Sequence, residues 1–213
     1  MTLSRMAQPF SHPEWLYEIK ADGFRALAHL NRRQCKLVSR KDHVYKRFHE
    51  LSEEISNTLN VKSAILDGEL CCLDSDGRSQ FYNLMFRRGP VRFYAFDLVE
   101  LNGKDLRSLS LLKRKQILKR LIPARSPAVL YADHVTERGE ELFKLACARD
   151  LEGIVAKWMH GPYDRQRISS WIKIKNPSYS QIVGREKLFE KKSEPQQQYE
   201  RIKKYSQEPE QRA

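Results

Sequence analysis

Residues 15–30 read WLYEIKADGFRALAHL. Two alternating runs meet at a turn. Trp15, Tyr17 and Ile19 share one face of the first run, and Gly23 breaks the period. The stretch therefore reads as two strands, or one bent strand, with Lys20 near the bend. Outward from it, residues 35–39 form a short strand. Val44, Phe48, Leu51, Ile55 and Leu59 recur at helical spacing and predict an amphipathic helix. Residues 64–73 read as a strand ending in the turn Asp74-Ser75-Asp76-Gly77. Residues 81–88 are ambiguous, with a short helix as one reading. Residues 91–101 are an apolar, aromatic strand closed by Asn102-Gly103. A helix over 110–122 stops before Pro123. A strand over 128–135, a helix over 137–150, and strands over 151–159 and 171–175 complete the pattern. Strands and helices mix without a βαβ rhythm, which predicts an α+β fold with mainly antiparallel sheets.

Among 213 residues, 39 Lys+Arg stand against 27 Asp+Glu, a net charge of +12. The stretch from Asn176 onward carries eight Lys/Arg and six Glu, so +10 of this belongs to the body. A basic body suits a polyanionic partner, either nucleic acid or nucleotide phosphates, although a solvated basic face is also common. The chain is 40% hydrophobic and includes nine Tyr, nine Phe and three Trp, enough to offset chain entropy, which excludes global disorder. No apolar run approaches the roughly 20 residues that a bilayer span needs. Cys35, Cys71, Cys72 and Cys147 form no C-x-x-C pair. They read as reduced thiols of a cytoplasmic protein rather than as a zinc site or a disulfide framework.

Five segments carry candidate chemistry. Glu18-Ile19-Lys20-Ala21-Asp22-Gly23-Phe24-Arg25 places one Lys among carboxylates, a glycine bend and an Arg. An exposed strand with a solvated Lys is its ordinary reading. A nucleophilic Lys must be deprotonated, so working near neutrality requires a shift of ~3 units from about 10.4. In Leu66-Asp67-Gly68-Glu69-Leu70, a strand-end carboxylate can accept ribose hydroxyls, or be a surface Glu beside a turn. In Phe93-Tyr94-Ala95-Phe96-Asp97-Leu98, core packing is the default, but Phe96 has the parity opposite to Phe93 and can face a ligand. Glu152-Gly153-Ile154-Val155-Ala156-Lys157 pairs an acid with a base. Strict alternation places the two on opposite faces unless Gly153 bends the strand. Trp171-Ile172-Lys173-Ile174-Lys175 puts two lysines on one face, where they repel unless an anion lies between them. A solvated edge strand is the plainer alternative.

In this order, K-x-D-G-x-R at Lys20 to Arg25, E-G-x-V-x-K at Glu152 to Lys157 and W-x-K-x-K at Trp171 to Lys175 resemble the nucleotidyltransferase domain of ATP-dependent DNA ligases. The likeness is nearest to the bacterial ligases of non-homologous end joining, and it covers Trp15 to about Glu190. It implies an ATP-grasp-like covalent nucleotidyltransferase fold, with two mainly antiparallel sheets, flanking helices and a nucleotide cleft between the sheets. It also implies that Lys20, with Asp22 beside it, is the catalytic position, attacking the α-phosphate of ATP to hold AMP as a phosphoramidate. By the same resemblance Glu18 lies at the adenine edge, Arg25 and Glu69 hold the ribose, and Phe96 stacks on the base. Arg40 contacts a nucleotide or nick phosphate. Lys157, Lys173 and Lys175 neutralise phosphates, and Glu152 helps hold Mg²⁺ or Mn²⁺. The implied partner is DNA with nicks or ends, recognised without sequence preference.

Residues 1–14 read as a leader, 15–190 as the nucleotidyltransferase domain, and 191–213 as a polar tail, disordered or a frayed helix. The family's OB-fold domain follows W-x-K-x-K, and only 38 residues follow Lys175 here. The expectation is a ligase-like adenylyltransferase that is slow, or that depends on a DNA-end-binding or OB-containing protein. Its competitors are an RNA ligase or capping-type enzyme, and a binding module for nucleotide or nicked DNA.

Overall fold

The bend at Asp22-Gly23 separates two strands that belong to different sheets. A side chain at Gly23 would place its Cβ 1.9 Å from the Leu70 carbonyl oxygen, so only glycine lets the chain pass from one sheet to the other there. The computed structural model describes residues 3–164 and 170–185. The residues assigned above to a polar tail lie outside them.

The strands are β1 (Ser4–Met6), β2 (Trp15–Ile19), β3 (Phe24–Asn31), β4 (Gln34–Val38), β5 (Ser63–Cys72), β6 (Val91–Leu101), β7 (Lys104–Asp105), β8 (Val129–Tyr131), β9 (His134–Thr136), β10 (Gly153–Trp158) and β11 (Trp171–Lys175). The helices are α1 (His49–Thr58), α2 (Phe81–Phe86), α3 (Leu111–Leu121) and α4 (Gly139–Ala148). One sheet runs β1-β11-β10-β2-β9. The other runs β4-β3-β5-β6-β7, with β8 also pairing β6. Pairing is antiparallel except for β1 with β11 and β6 with β8. The α+β reading with two mainly antiparallel sheets therefore stands.

Each sheet buries one face under helices. On the first, Tyr17, Ile154 and Ile174 pack with Ala146, Leu142 and Phe143 of α4. On the second, Ala28, Leu66, Phe93 and Leu98 pack with Leu51 and Ile55 of α1 and Leu118 of α3. A third cluster of Leu16, Leu111, Val155 and Trp171, with Phe96 and Tyr163 against it, lies on the opposite face of the first sheet. The alternation of residues 15–19 thus sends Tyr17 to the α4 side and Leu16 to the other.

Three local expectations change. The run 128–135 is two strands rather than one. Residues Val129–Tyr131 pair with β6 and His134–Thr136 with β2, so the chain changes sheet at Ala132-Asp133. Alternation alone carries no signal for which partner each half meets. The helix starts at His49, after a 3₁₀ turn at Lys46–Phe48. Val44 is 49% exposed and forms a β-bridge with Val38, so its helical spacing is incidental. Residues 4–6, to which the sequence reading gave no element, form an edge strand. Beyond Tyr179, a separate unit begins with a 3₁₀ turn at Ser180–Ile182.

Candidate active site

Strands β2, β10 and β11 of one sheet and β3, β5 and β6 of the other contribute residues to a cleft of about 840 Å³. It is lined by Glu18, Lys20, Arg25, Arg40, Glu69, Phe96, Lys157, Lys173 and Lys175, together with Tyr94 and Trp171. Nine of the eleven residues singled out from sequence thus meet at one surface. Glu152 instead lines a neighbouring cavity of about 220 Å³ that shares Lys20 and Tyr94 with the cleft. Asp22 lines neither: it is buried, and its carboxylate accepts a hydrogen bond from the Tyr179 hydroxyl at 2.7 Å. Its backbone N–H donates to Ser79 Oγ at 3.1 Å. In this arrangement Asp22 holds the turn that presents Lys20.

Lys20 follows the last residue of β2, and its backbone N–H still donates to the Gly153 carbonyl at 2.9 Å. Its Nζ lies 2.5 Å from Glu152 Oε2, while Lys175 Nζ lies 2.9 Å from Oε1 of the same carboxylate. Gly153 makes this possible. Its φ is +135°, and a Cβ there would come 2.1 Å from the Ile174 carbonyl oxygen. The chain bends at Gly153, the first residue of β10, so Glu152 reaches Lys20 while Lys157, further along, faces into the cleft.

At the closed end, Glu18 is buried between two ammonium groups: Lys115 Nζ at 2.5 Å from Oε1 and Lys157 Nζ at 2.6 Å from Oε2. Burial opposes its ionisation, and the two lysines outweigh that, holding the carboxyl below its ordinary range. Lys115 also donates to the Ala132 carbonyl at 2.8 Å. Lys157, expected to meet phosphates, is fully enclosed here. Its Nζ sits 4.4 Å from the Phe96 ring centre and 4.0 Å from that of Trp171. Burial lowers its pKa to about 8, against the pull of Glu18.

Arg25 and Glu69 stand opposite each other on β3 and β5. Arg25 forms a two-point pair with Asp67, Nε to Oδ1 at 2.7 Å and Nη2 to Oδ2 at 2.5 Å, and Tyr163 donates to Oδ2 at 2.8 Å. Its guanidinium lies 5.0 Å from the centre of the Phe96 ring. Phe96 meets Trp171 edge to face, while Phe93 is wholly buried in the other core, as their parities require. Glu69 has its pKa raised to about 7, chiefly by burial, with Lys20 and Arg25 pulling the other way.

Sequence reasoning missed Lys115, Asp67 and Tyr163. Lys115 carried a signal, since Leu111, Lys115, Leu118 and Ile122 share one helical stripe in which a lysine is out of place. Asp67 lies two residues before Glu69 in the same motif, where the sequence does not separate a structural acid from one that faces a ligand. Tyr163 lies in the loop after β10 and had no signal.

In fold this is a nucleotidyltransferase domain. A mycobacterial DNA ligase D solved with ATP matches it at a TM-score of 0.67 and 26% identity, over 81% of this chain and 58% of that one. The model of the ATP dependent DNA ligase domain matches residues 2–175, and the chain belongs to that family. The multifunctional non-homologous end joining protein LigD of Pseudomonas aeruginosa is 32% identical over 76% of this chain and 20% of its own length. The bifunctional LigD of Bacillus subtilis is 30% identical over 80% of this chain and 33% of its own. The chain thus spans a fifth to a third of these curated relatives.

Proposed function

We propose that the protein is an adenylyltransferase of the DNA ligase type, which forms a covalent lysyl-AMP at Lys20 and delivers AMP to DNA nicks or ends. The observation that carries this is the position of Lys20. It lies in a cleft between two sheets, with an apolar aromatic end at Phe96 and Trp171 and the cations Arg40, Lys173 and Lys175 also on its wall. In the first step the Lys20 nitrogen parts from Glu152, gives its proton to water and bonds to the α-phosphorus of ATP. The bond from that phosphorus to the bridging oxygen breaks, and pyrophosphate leaves with the electron pair. Glu18, fixed by Lys115 and Lys157, faces the purine edge. Arg25 and Glu69 face the ribose, and Lys173 and Lys175 face the phosphates. AMP then passes to a 5′-phosphate, and a 3′-hydroxyl displaces it.

No group of three or more His, Cys, Asp or Glu suited to a metal occurs among the described residues. The Glu152 carboxylate, in contact with Lys20, suits Mg²⁺ or Mn²⁺, which such sites bind through one or two carboxylates plus substrate phosphates. Glu152 would hold the ion, which would supply charge neutralisation at the phosphates. DNA contact in this reading runs through backbone phosphates, and a DNA-end-binding or OB-containing protein would act as partner.

The test is label transfer from ATP labelled at the α-phosphate, with Mg²⁺ or Mn²⁺, beside Lys20→Ala and beside labelled GTP. An acid-labile adduct from ATP alone, lost in the variant, is expected. An adduct that survives Lys20→Ala, or none from a protein that still binds ATP, overturns the proposal.

A further inference from the structure

We infer that Arg5, on the edge strand β1, is a further phosphate-binding residue of the cleft, holding the terminal phosphates of a nucleoside triphosphate together with Lys173. The inference rests on the nucleotide-binding reading above and extends it to a strand outside every motif read from the sequence.

The register of the first sheet places four of its residues in one transverse row. Arg5 stands opposite Lys173, Lys173 opposite Val155, and Val155 opposite Glu18. Residues directly opposite on neighbouring strands share a face of the sheet. Glu18, Val155 and Lys173 all line the cleft, so Arg5 projects from the same face. Leu3, two residues earlier, also lines the cleft, which fixes the facing of β1 independently. At about 4.8 Å per strand, the row from Glu18 to Arg5 spans roughly 14 Å.

The two ends of the row differ. At Glu18 it is buried, with its partner Lys157 under the Phe96 and Trp171 rings, whereas Arg5 is exposed. A nucleoside triphosphate is polarised in the same sense, with a flat base at one end and charged phosphates at the other. The neighbouring row holds Lys175 opposite Gly153, whose carbonyl binds the Lys20 N–H. An α-phosphate held at Lys20 therefore sends its β- and γ-phosphates along the sheet toward Lys173 and Arg5.

The charge at this end is unbalanced. Among the described residues, no carboxylate pairs with Arg5 or with Lys173. The Lys173 ammonium is disfavoured first by burial, then by Lys175, Lys20, Arg40 and Arg5. A polyphosphate among these groups removes the repulsion. A guanidinium at the open end also offers two parallel donors to a phosphate, which a lysine does not.

The test is equilibrium titration of ATP, ADP and AMP against the intact chain, Arg5→Ala and Arg5→Lys. Thermal melts and affinity for a nicked duplex are measured in parallel. Arg5→Ala is expected to weaken ATP about tenfold, as for loss of a charge-assisted contact, and to leave AMP within twofold. Arg5→Lys is expected to recover part of the ATP affinity. Equal weakening of ATP and AMP would mean that β1 only supports the sheet, and would overturn the inference. So would unchanged ATP affinity with weaker DNA binding, which assigns Arg5 to DNA phosphates. An unmodified protein that binds none of the three nucleotides would instead bring down the underlying reading, and this inference with it.

Discussion

Glu69 is the carboxyl whose protonation this fold shifts upward, to about 7 from an ordinary 4.5. Between those values the native state holds a proton that the unfolded chain has released. Stability from this group is therefore full below pH ~4.5 and falls as pH rises toward 7. Glu69→Gln, which cannot ionise, should flatten that slope and raise stability near pH 7.5 relative to the unsubstituted protein. Urea midpoints at pH 4.5, 6 and 7.5 for the two proteins measure it, and parallel slopes would contradict the assignment. The same residue shows what the sequence concealed. The place of Glu69 in the cleft was readable from its motif, but burial sufficient to favour the neutral acid depends on the distant residues that cover it. Asp22 shows the reverse case. Two residues from Lys20, it looked like part of the reacting group, and only the folded chain reveals that it turns toward Tyr179.

Among the elements, α3 holds the two halves of the cleft together. Arg114 forms a two-point pair with Asp97 of β6, both contacts at 2.8 Å and both side chains fully buried. The adjacent Lys115 reaches across to Glu18 of the other sheet. Lys115→Met leaves Glu18 buried with one cation in place of two. Removing one partner of a buried pair costs about 3–5 kcal/mol, so a loss near the low end is expected in chemical denaturation. A cost below about 1 kcal/mol would mean that Lys157 alone satisfies the carboxylate. Elements with a clear period were legible: β6 was read to the residue because an aromatic strand meets Asn102-Gly103, both at positive φ. The division of 128–135 between sheets was not, because its two halves differ only in the strand that each meets. Strand β1 has three residues, too short for any period to show.

At the scale of the molecule, +12 of net charge coexists with well-paired acids in the interior. The surplus is therefore on the surface, where it acts on polyanions at a distance. Binding to a nicked duplex should fall steeply, by orders of magnitude, between ~50 and ~200 mM salt, and should not depend on base sequence. Filter binding across that range tests it, and a flat response would remove DNA as the main partner. The +10 of the body is countable from the sequence, and Lys175 beside Lys173 is legible there, but the approach of Arg5 and Arg40 to that pair is not, since they come from distant segments.

The chain passes between the sheets at residues 20–23 and again at 132–133, leaving from the paired strands β2 and β9. The two covalent links therefore lie side by side, like the spine of a book, and β1 is the page edge. Lys20 therefore stands beside both covalent links, whereas Arg5 stands at the far edge of the same sheet, three strands away. The nucleophile sits where the backbone is anchored twice, and the open rim of the cleft lies at the edge that carries no such link.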